Sequence, residues 1–408
     1  MVHIAKEMKR QQMDLPLLIG GATTSRMHTA VKIAQEYDNG VVHVLDASRS
    51  VTVAGSLLSK EQKPDFLKSI KNEYHKLKED FGNRKTVKNY LPFAVAQQNG
   101  AVIDWGNFTP VTPTFTGTKV FENYNLAEIA EYIDWQPFFI AWEMHGKFPA
   151  LLTDEIIGKE ATKLYNDAKK LLQQIINEKW LSARGVIGFW EANRTAPDTV
   201  IVKTSKEDIS LQFLRQQIKK TAGQPNLSLA DFIVPDKKET IDYLGAFSVT
   251  IEGIEPHIKK FEDNLDDYNK IILQALADRF AEAFAEVLHK KTRLQYWGYV
   301  TEEHLSNEQL IKEEYLGIRP APGYPACPDH TEKYKLFNLL GGEQTTGIHL
   351  TESLAMYPAS SVCGWYFANP ASKYFGVGKI NEDQLRDYTV RKEMDIEEVK
   401  RWLSPILD

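Results

Sequence analysis

Apolar positions in the first sixty residues switch between two spacings. "VHIAKEMKRQ" repeats at helical period, "LPLLIGGATT" is a buried strand running into a glycine turn, and "SRMHTAVKIAQEY" is helical again with Ser25 as N-cap. "GVVHVLD" reads as a second buried strand, and "SRSVTVAGSLLS" opens a further helix. Strand–helix–strand order at this spacing predicts a parallel sheet with right-handed crossovers. A doubly wound domain needs about five strands and about two are present, so the chain is expected to begin partway through a domain.

Residues 60–82 predict a charged amphipathic helix, with Phe66, Ile70, Tyr74, Leu77 and Phe81 on one stripe and Gly82 placed to end it. The polar stretch "GNRKTVKN" reads as a linker. Beyond it the strand-like segments "GVIGFW", "TVIVKT", "YLGAFSVT", "SVCGWYFANP" and "KYFGVGKI" are separated by helices without regular βα alternation. That pattern predicts an α+β domain with a largely antiparallel sheet. The strongest helical pattern spans residues 266–291, where Leu273, Leu276, Phe280, Phe284 and Val287 form the core stripe. Asp278, Glu282 and Glu286 recur every four residues on another face, either as a solvated acidic surface or with a carboxylate set beside a cationic ligand.

At 408 residues two or three domains are expected, and 43% hydrophobic with 25% charged residues is the profile of a globular protein with an adequate core. The formal net charge of −6 argues against general nucleic-acid or anionic-membrane binding. No apolar run approaches the roughly 18–20 residues a membrane span requires, and the amphipathic N-terminus lacks the apolar core of a signal peptide. Cys327 and Cys363 are the only cysteines. They have no CxxC spacing, so no protein-built metal site is expected, and a disulfide between them stays open. Sparse cysteine fits a reducing cytoplasm.

Gly20-Gly21 follow a buried strand and precede a helix, a turn that brings backbone amides close to an anion or polar group. There is no GxGxxG and no P-loop lysine. Asp134 in "EYIDWQPFF" sits among aromatic neighbours, as a helix cap or as a ligand carboxylate. The most informative segment is "GIRPAPGYPACPDH", residues 317–330. Pro320 and Pro322 stiffen the loop and remove donors, Gly323 permits a conformation or contact that a side chain forbids, and Tyr324 adds a flat ring. A guanidinium on such a loop, Arg319, suits bidentate recognition of a carboxylate. An arginine for a carboxylate, acids for an ammonium or sulfonium, and tyrosines near an aromatic base together suit an amino-acid nucleoside.

"PLLIGGATTSRMHTAVKIAQEY", "IDWQPFF", "LADRFAEAFAE" and "GIRPAPGYPACPDHTEK" resemble the C-terminal part of the cobalamin-dependent methionine synthases, in that family's order and across the whole chain. "RPAPGY" matches the RxxxGY signature of the family's S-adenosylmethionine-binding reactivation domain. The resemblance implies that residues 1–70 are the last part of a Rossmann-like cobalamin-binding domain. Residues 71–88 would be a linker, and residues 89–408 a reactivation domain with a bent antiparallel sheet. It implies that Arg319 binds the carboxylate of S-adenosylmethionine and Asp134 its amino group. The backbone around Ala321, with Tyr374, would hold the adenosine, while Glu282 and Glu313 lie nearby. Gly323 and Tyr324 fall within the signature. Gly20, Gly21 and Ala47 match positions that line the cobalamin nucleotide tail.

The implied chemistry is rescue of oxidised cob(II)alamin with a methyl group from S-adenosylmethionine and one electron from a flavodoxin-type donor. The protein would act by positioning, with no catalytic side chain, on a cobalamin domain of the same or a partner chain. The family's DxHxxG cobalt-ligating motif is absent, since "EMHGK" around His145 does not match it. The homocysteine and folate modules are absent too, so methyltransferase activity is expected of the full assembly and not of this chain alone. The alternative is a non-catalytic module that docks a cobalamin domain or flavodoxin.

Overall fold

The computed structural model describes residues 1–20, 25–44, 47–59, 61–83, 89–238 and 240–407. The chain divides into two compact units, Met1–Asn89 and Tyr90–Asp408.

In the first unit, strands β1 (Leu17–Gly20) and β2 (Val41–Val44) pair in parallel, with Leu17 opposite Val41 and Gly20 opposite Val44. Ser25 caps the connecting helix as its pattern predicts, its hydroxyl accepting the His28 N–H at 3.1 Å. That helix passes into a π-helical turn over Thr29–Ile33. Ala5, Ile19, Ile33, Tyr37 and Val41 make the small core. The charged amphipathic helix runs Lys63–Asn83, on through Gly82, so residues 71–83 of the segment read as linker are helical. Residues 84–88 lie outside the described residues.

The second unit is built on an antiparallel sheet. Its strands are β3 (Gly117–Phe121), β4 (Ser182–Ala196), β5 (Thr199–Val202), β6 (Ile209–Gln212), β7 (Asp242–Glu252) and, after a short ladder of β8 (His349–Leu350) with β9 (Met356–Tyr357), β10 (Ser361–Tyr366). The order is β10-β7-β4-β5-β6, with β3 also on β4. β4 pairs with β3 and β7 along its first part and reaches β5 at its end, with a register shift between Arg194 and Ala196. A bulge of this kind bends a strand and increases its twist, which helps the sheet curl.

The long helix Asp267–Lys291, capped by the Asp266 carboxylate on the Asn269 N–H, covers one face of the sheet. Its predicted stripe is buried, and Gly185 on β4 makes the close approach possible: a Cβ there would meet the Phe284 ring at 2.8 Å. A second core, including Leu211, Ile318, Leu336 and Trp365, fills the opposite face.

The sheet differs from the sequence reading at three places. β3 and β6 were not expected; each is a short piece that borrows its stability from a longer neighbour. "KYFGVGKI" is not a strand. Its Val377 N–H instead bonds the Pro325 carbonyl at 2.8 Å, and Gly378 turns with φ +71°, so the segment straps the 317–330 loop. Cys327 and Cys363 are both free and buried. No helix among the described residues is long and apolar enough to cross a membrane.

Candidate functional site: a two-lobed cleft around Arg319

The 317–330 segment begins as an added strand on β10. Ile318 and Phe367 exchange backbone hydrogen bonds of 3.0 Å, and the Trp365 N–H reaches the Pro320 carbonyl at 2.9 Å. Alternation along an extended chain sends Ile318 into the core, where it is buried, and Arg319 to the other side. The turn that follows is closed by the Tyr324 N–H on the Ala321 carbonyl and the Gly323 N–H on the Cys327 carbonyl, at 3.1 and 2.7 Å. Between Pro320 and Pro322 the Ala321 N–H is the single amide donor, and it meets no acceptor among the described residues.

Arg319 is held at one end. Its Nη1 lies 2.6 Å from Glu286 Oε2, 3.2 Å from His289 Nδ1 and 3.4 Å from the Tyr315 hydroxyl. Its backbone N–H donates to the Tyr374 hydroxyl at 2.9 Å. Nε and Nη2 have no partner among the described residues, so the opposite edge of the guanidinium presents two parallel donors. Burial works against the charge, but Glu286 outweighs it and keeps the guanidinium protonated. Burial, with Arg293 and Arg319 nearby, holds His289 well below the usual histidine range. The ring is therefore neutral, and the hydrogen-bond network assigns Nδ1 as acceptor from Arg319. Burial also pushes the Glu313 carboxyl up, against the pull of Arg319.

Two cavities of about 500 and 320 Å³ meet here, and Glu282, Glu313 and Arg319 line both. The larger lobe has walls of Phe247, Val362 and Phe375 with Ala321, Tyr324 and Tyr374. The smaller lobe carries Asp134, Arg279 and Glu286. Asp134 Oδ1 accepts the Gln136 N–H at 2.9 Å in a turn just ahead of the helix, whose N-cap is Trp135 with no side-chain cap, and Oδ2 has no hydrogen-bond partner among the described residues.

Seven residues singled out in the sequence therefore converge: Asp134, Glu282, Glu313, Arg319, Ala321, Tyr324 and Tyr374. Gly323 lines neither lobe. It has φ +95°, and a Cβ there would fall 2.3 Å from the His330 ring, so its space is taken by His330. Glu286, His289 and Tyr315 contact Arg319; the sequence reading named Glu286 only as one of three helix acids and did not single out His289 or Tyr315. The four-residue repeat of acids contained Glu286, but only the packing shows that Asp278 and Glu282 face outward while Glu286 is buried.

In the first unit, Gly20 ends β1 and Ala47 opens the helix Ala47–Leu58 that follows β2. Both stand at the C-terminal ends of parallel strands, where open α/β sheets bind ligands. A Cβ on Gly20 would lie 3.2 Å from the Val44 carbonyl oxygen, so close strand packing already favours glycine there. Gly21 lies outside the described residues.

Fold and cleft define an α+β ligand-binding domain in which a charged lobe, able to pair a zwitterion, adjoins an apolar, tyrosine-edged lobe. Residues 125–393 match the family of the vitamin B12-dependent methionine synthase activation domain, and the chain belongs to that family. It is also similar to the crystal structure of the MetH reactivation domain bound to AdoHcy, with 46% identity and a TM-score of 0.75. That likeness covers 78% of this chain and 99% of the other.

Proposed function

We propose that this chain binds S-adenosylmethionine in the two-lobed cleft and presents its methyl group for reductive methylation of cob(II)alamin. The observation that carries this reading is the free Nε/Nη2 edge of Arg319, set between an acidic lobe and an apolar one. That edge matches a carboxylate bidentately, and Asp134 Oδ2 is a ready acceptor for the ammonium. The adenosine fits the larger lobe against Tyr324 and Tyr374, with the Ala321 N–H as donor. In the ligand the sulfonium lies between these two ends, which sets it where the lobes join, beside Glu282 and Glu313. The chain's own contribution is binding, orientation and exclusion of water, and it needs no nucleophilic side chain.

Residues 1–70, within the first unit, are proposed as the end of a Rossmann-like cobalamin-binding domain, with Gly20, Gly21 and Ala47 toward the nucleotide tail. When bound, cobalamin would supply the methyl-accepting cobalt, with one electron from a flavodoxin-type donor. A cobalamin domain of the same or a partner chain, a flavodoxin-type partner and a cytoplasmic setting belong to the same reading, as does methyltransferase activity of the full assembly.

Calorimetric titration of S-adenosylmethionine into the protein and into Arg319→Ala tests it. Loss of a buried charge-assisted contact of roughly 2–5 kcal/mol weakens binding at least tenfold. No saturable binding by the folded parent would sink the reading; equal binding by the variant would remove Arg319 from it.

A further inference from the structure

Two acids flank the buried cations beneath the cleft, and they behave differently. Glu303 grips Arg293 with both oxygens, at 2.6 and 2.7 Å, as a structural carboxylate in the interior should. Glu286 is buried too, yet it spends one oxygen on Arg319 and leaves Oε1 without a hydrogen bond. A donor is close: Arg293 Nη1, also unbonded, stands 3.9 Å from Oε1. A buried carboxylate with an idle oxygen is costly to the fold, so the placement of Glu286 follows Arg319 and not the core.

We infer that Glu286 is a positioning residue for carboxylate recognition. It acts through Arg319, and the inference rests on the cleft reading proposed above. Glu286 and His289, three residues apart on the long helix, both accept from Nη1. This fixes the plane of the guanidinium and turns Nε and Nη2 to the lobe. Without Glu286 the cation has other carboxylates to follow, because Glu282 and Glu313 line both lobes with it. Paired with either, Arg319 turns its free edge away from an incoming carboxylate.

The test compares two ligands on the intact chain by calorimetry. S-adenosylmethionine carries the amino-acid end; 5′-methylthioadenosine keeps the nucleoside, lacks that end and has a neutral thioether in place of the sulfonium. S-adenosylhomocysteine, a thioether with the amino-acid end, therefore serves as the charge control and is expected to weaken as S-adenosylmethionine does. Glu286→Ala is expected to bind S-adenosylmethionine at least about tenfold more weakly while holding 5′-methylthioadenosine within about twofold of the parent. Glu286→Gln, which keeps an acceptor for Nη1, is expected to fall between parent and alanine variant for S-adenosylmethionine alone. It decides the question if the alanine variant does not fold. Equal losses for both ligands would mean a structural role, and unchanged or tighter S-adenosylmethionine binding would mean that Glu286 only opposes the ligand's carboxylate; either result overturns the inference. A parent that binds neither ligand overturns the cleft reading itself, and the inference with it.

Discussion

The Tyr374 hydroxyl accepts the backbone N–H of Arg319 at 2.9 Å, joining residues 55 positions apart in the chain. It also lies 3.1 Å from the Tyr315 hydroxyl, which approaches the Arg319 guanidinium. Tyr374 thus fixes the start of the loop while its ring edges the larger lobe. Tyr374→Phe keeps the ring and strands the Arg319 N–H, a loss of about 1 kcal/mol. S-adenosylmethionine binding is expected to weaken several-fold by calorimetry, with little change in melting temperature. Unchanged affinity would assign Tyr374 to ring contact alone.

Gly323 carries a second prediction. Its φ of +95° is strained for any L side chain, and the His330 ring occupies the space a Cβ would need. Gly323→Ala is expected to cost about 1–3 kcal/mol of stability and to shift the Ala321 turn, weakening ligand binding. Adding His330→Ala opens the space without relaxing the backbone. The double variant should therefore recover only part of the loss in urea unfolding. Full recovery would show that crowding is the whole effect.

Much of this architecture was readable because the informative signals are local. The stripe Leu273, Leu276, Phe280, Phe284, Val287 marks a helix by spacing alone, and the proline-flanked Arg319 marks a stiff loop. What the sequence hid depends on distant partners. Glu286 differs from Glu282 in being buried and paired with Arg319, a contact no local spacing encodes. "KYFGVGKI" alternates like a strand, but its donors go to Pro325 and the sheet edge on β10 is taken by Ile318–Pro320. The signature carried Gly323 as a ligand position; its φ of +95° and the His330 ring beside it supply a packing reason for glycine there that the sequence does not show.

Arg215 is buried with Asp198 and Asp231, its Nε 2.8 Å from Asp198 and its Nη2 2.7 Å from Asp231. Its Nη1 also donates to Asp231 Oδ2 at 2.8 Å, and the last two donors go to the Asn226 and Pro197 carbonyls, so the guanidinium ties three loop segments together. Arg215→Met would leave buried Asp198 without its ion-pair partner and Asp231 paired only with Arg194. Removing one partner of such a set costs about 3–5 kcal/mol. The urea midpoint should fall accordingly, and a shift too small to resolve would show that the acids take up protons or water instead.

Asp242 gives a pH dependence with a definite sign. It is buried at the start of β7, its oxygens accept the Val234 and Tyr243 N–H groups, and burial raises its pKa to about 6 despite those bonds. The unfolded value is about 3.9, so folding takes up a proton between these limits. The resulting stability is present below about pH 4 and is lost as pH rises through 6, a difference of about 3 kcal/mol. His289 works the other way: neutral and buried, it costs stability as pH falls below its ordinary value near 6.5. A single pH profile would therefore mix the two. Asp242→Asn keeps one acceptor and removes the titration, so the parent-minus-variant difference in urea midpoints between pH 4 and pH 8 isolates Asp242. That difference should fall with rising pH and level off above about 7; a flat difference would show that Asp242 is ionised in the folded protein throughout.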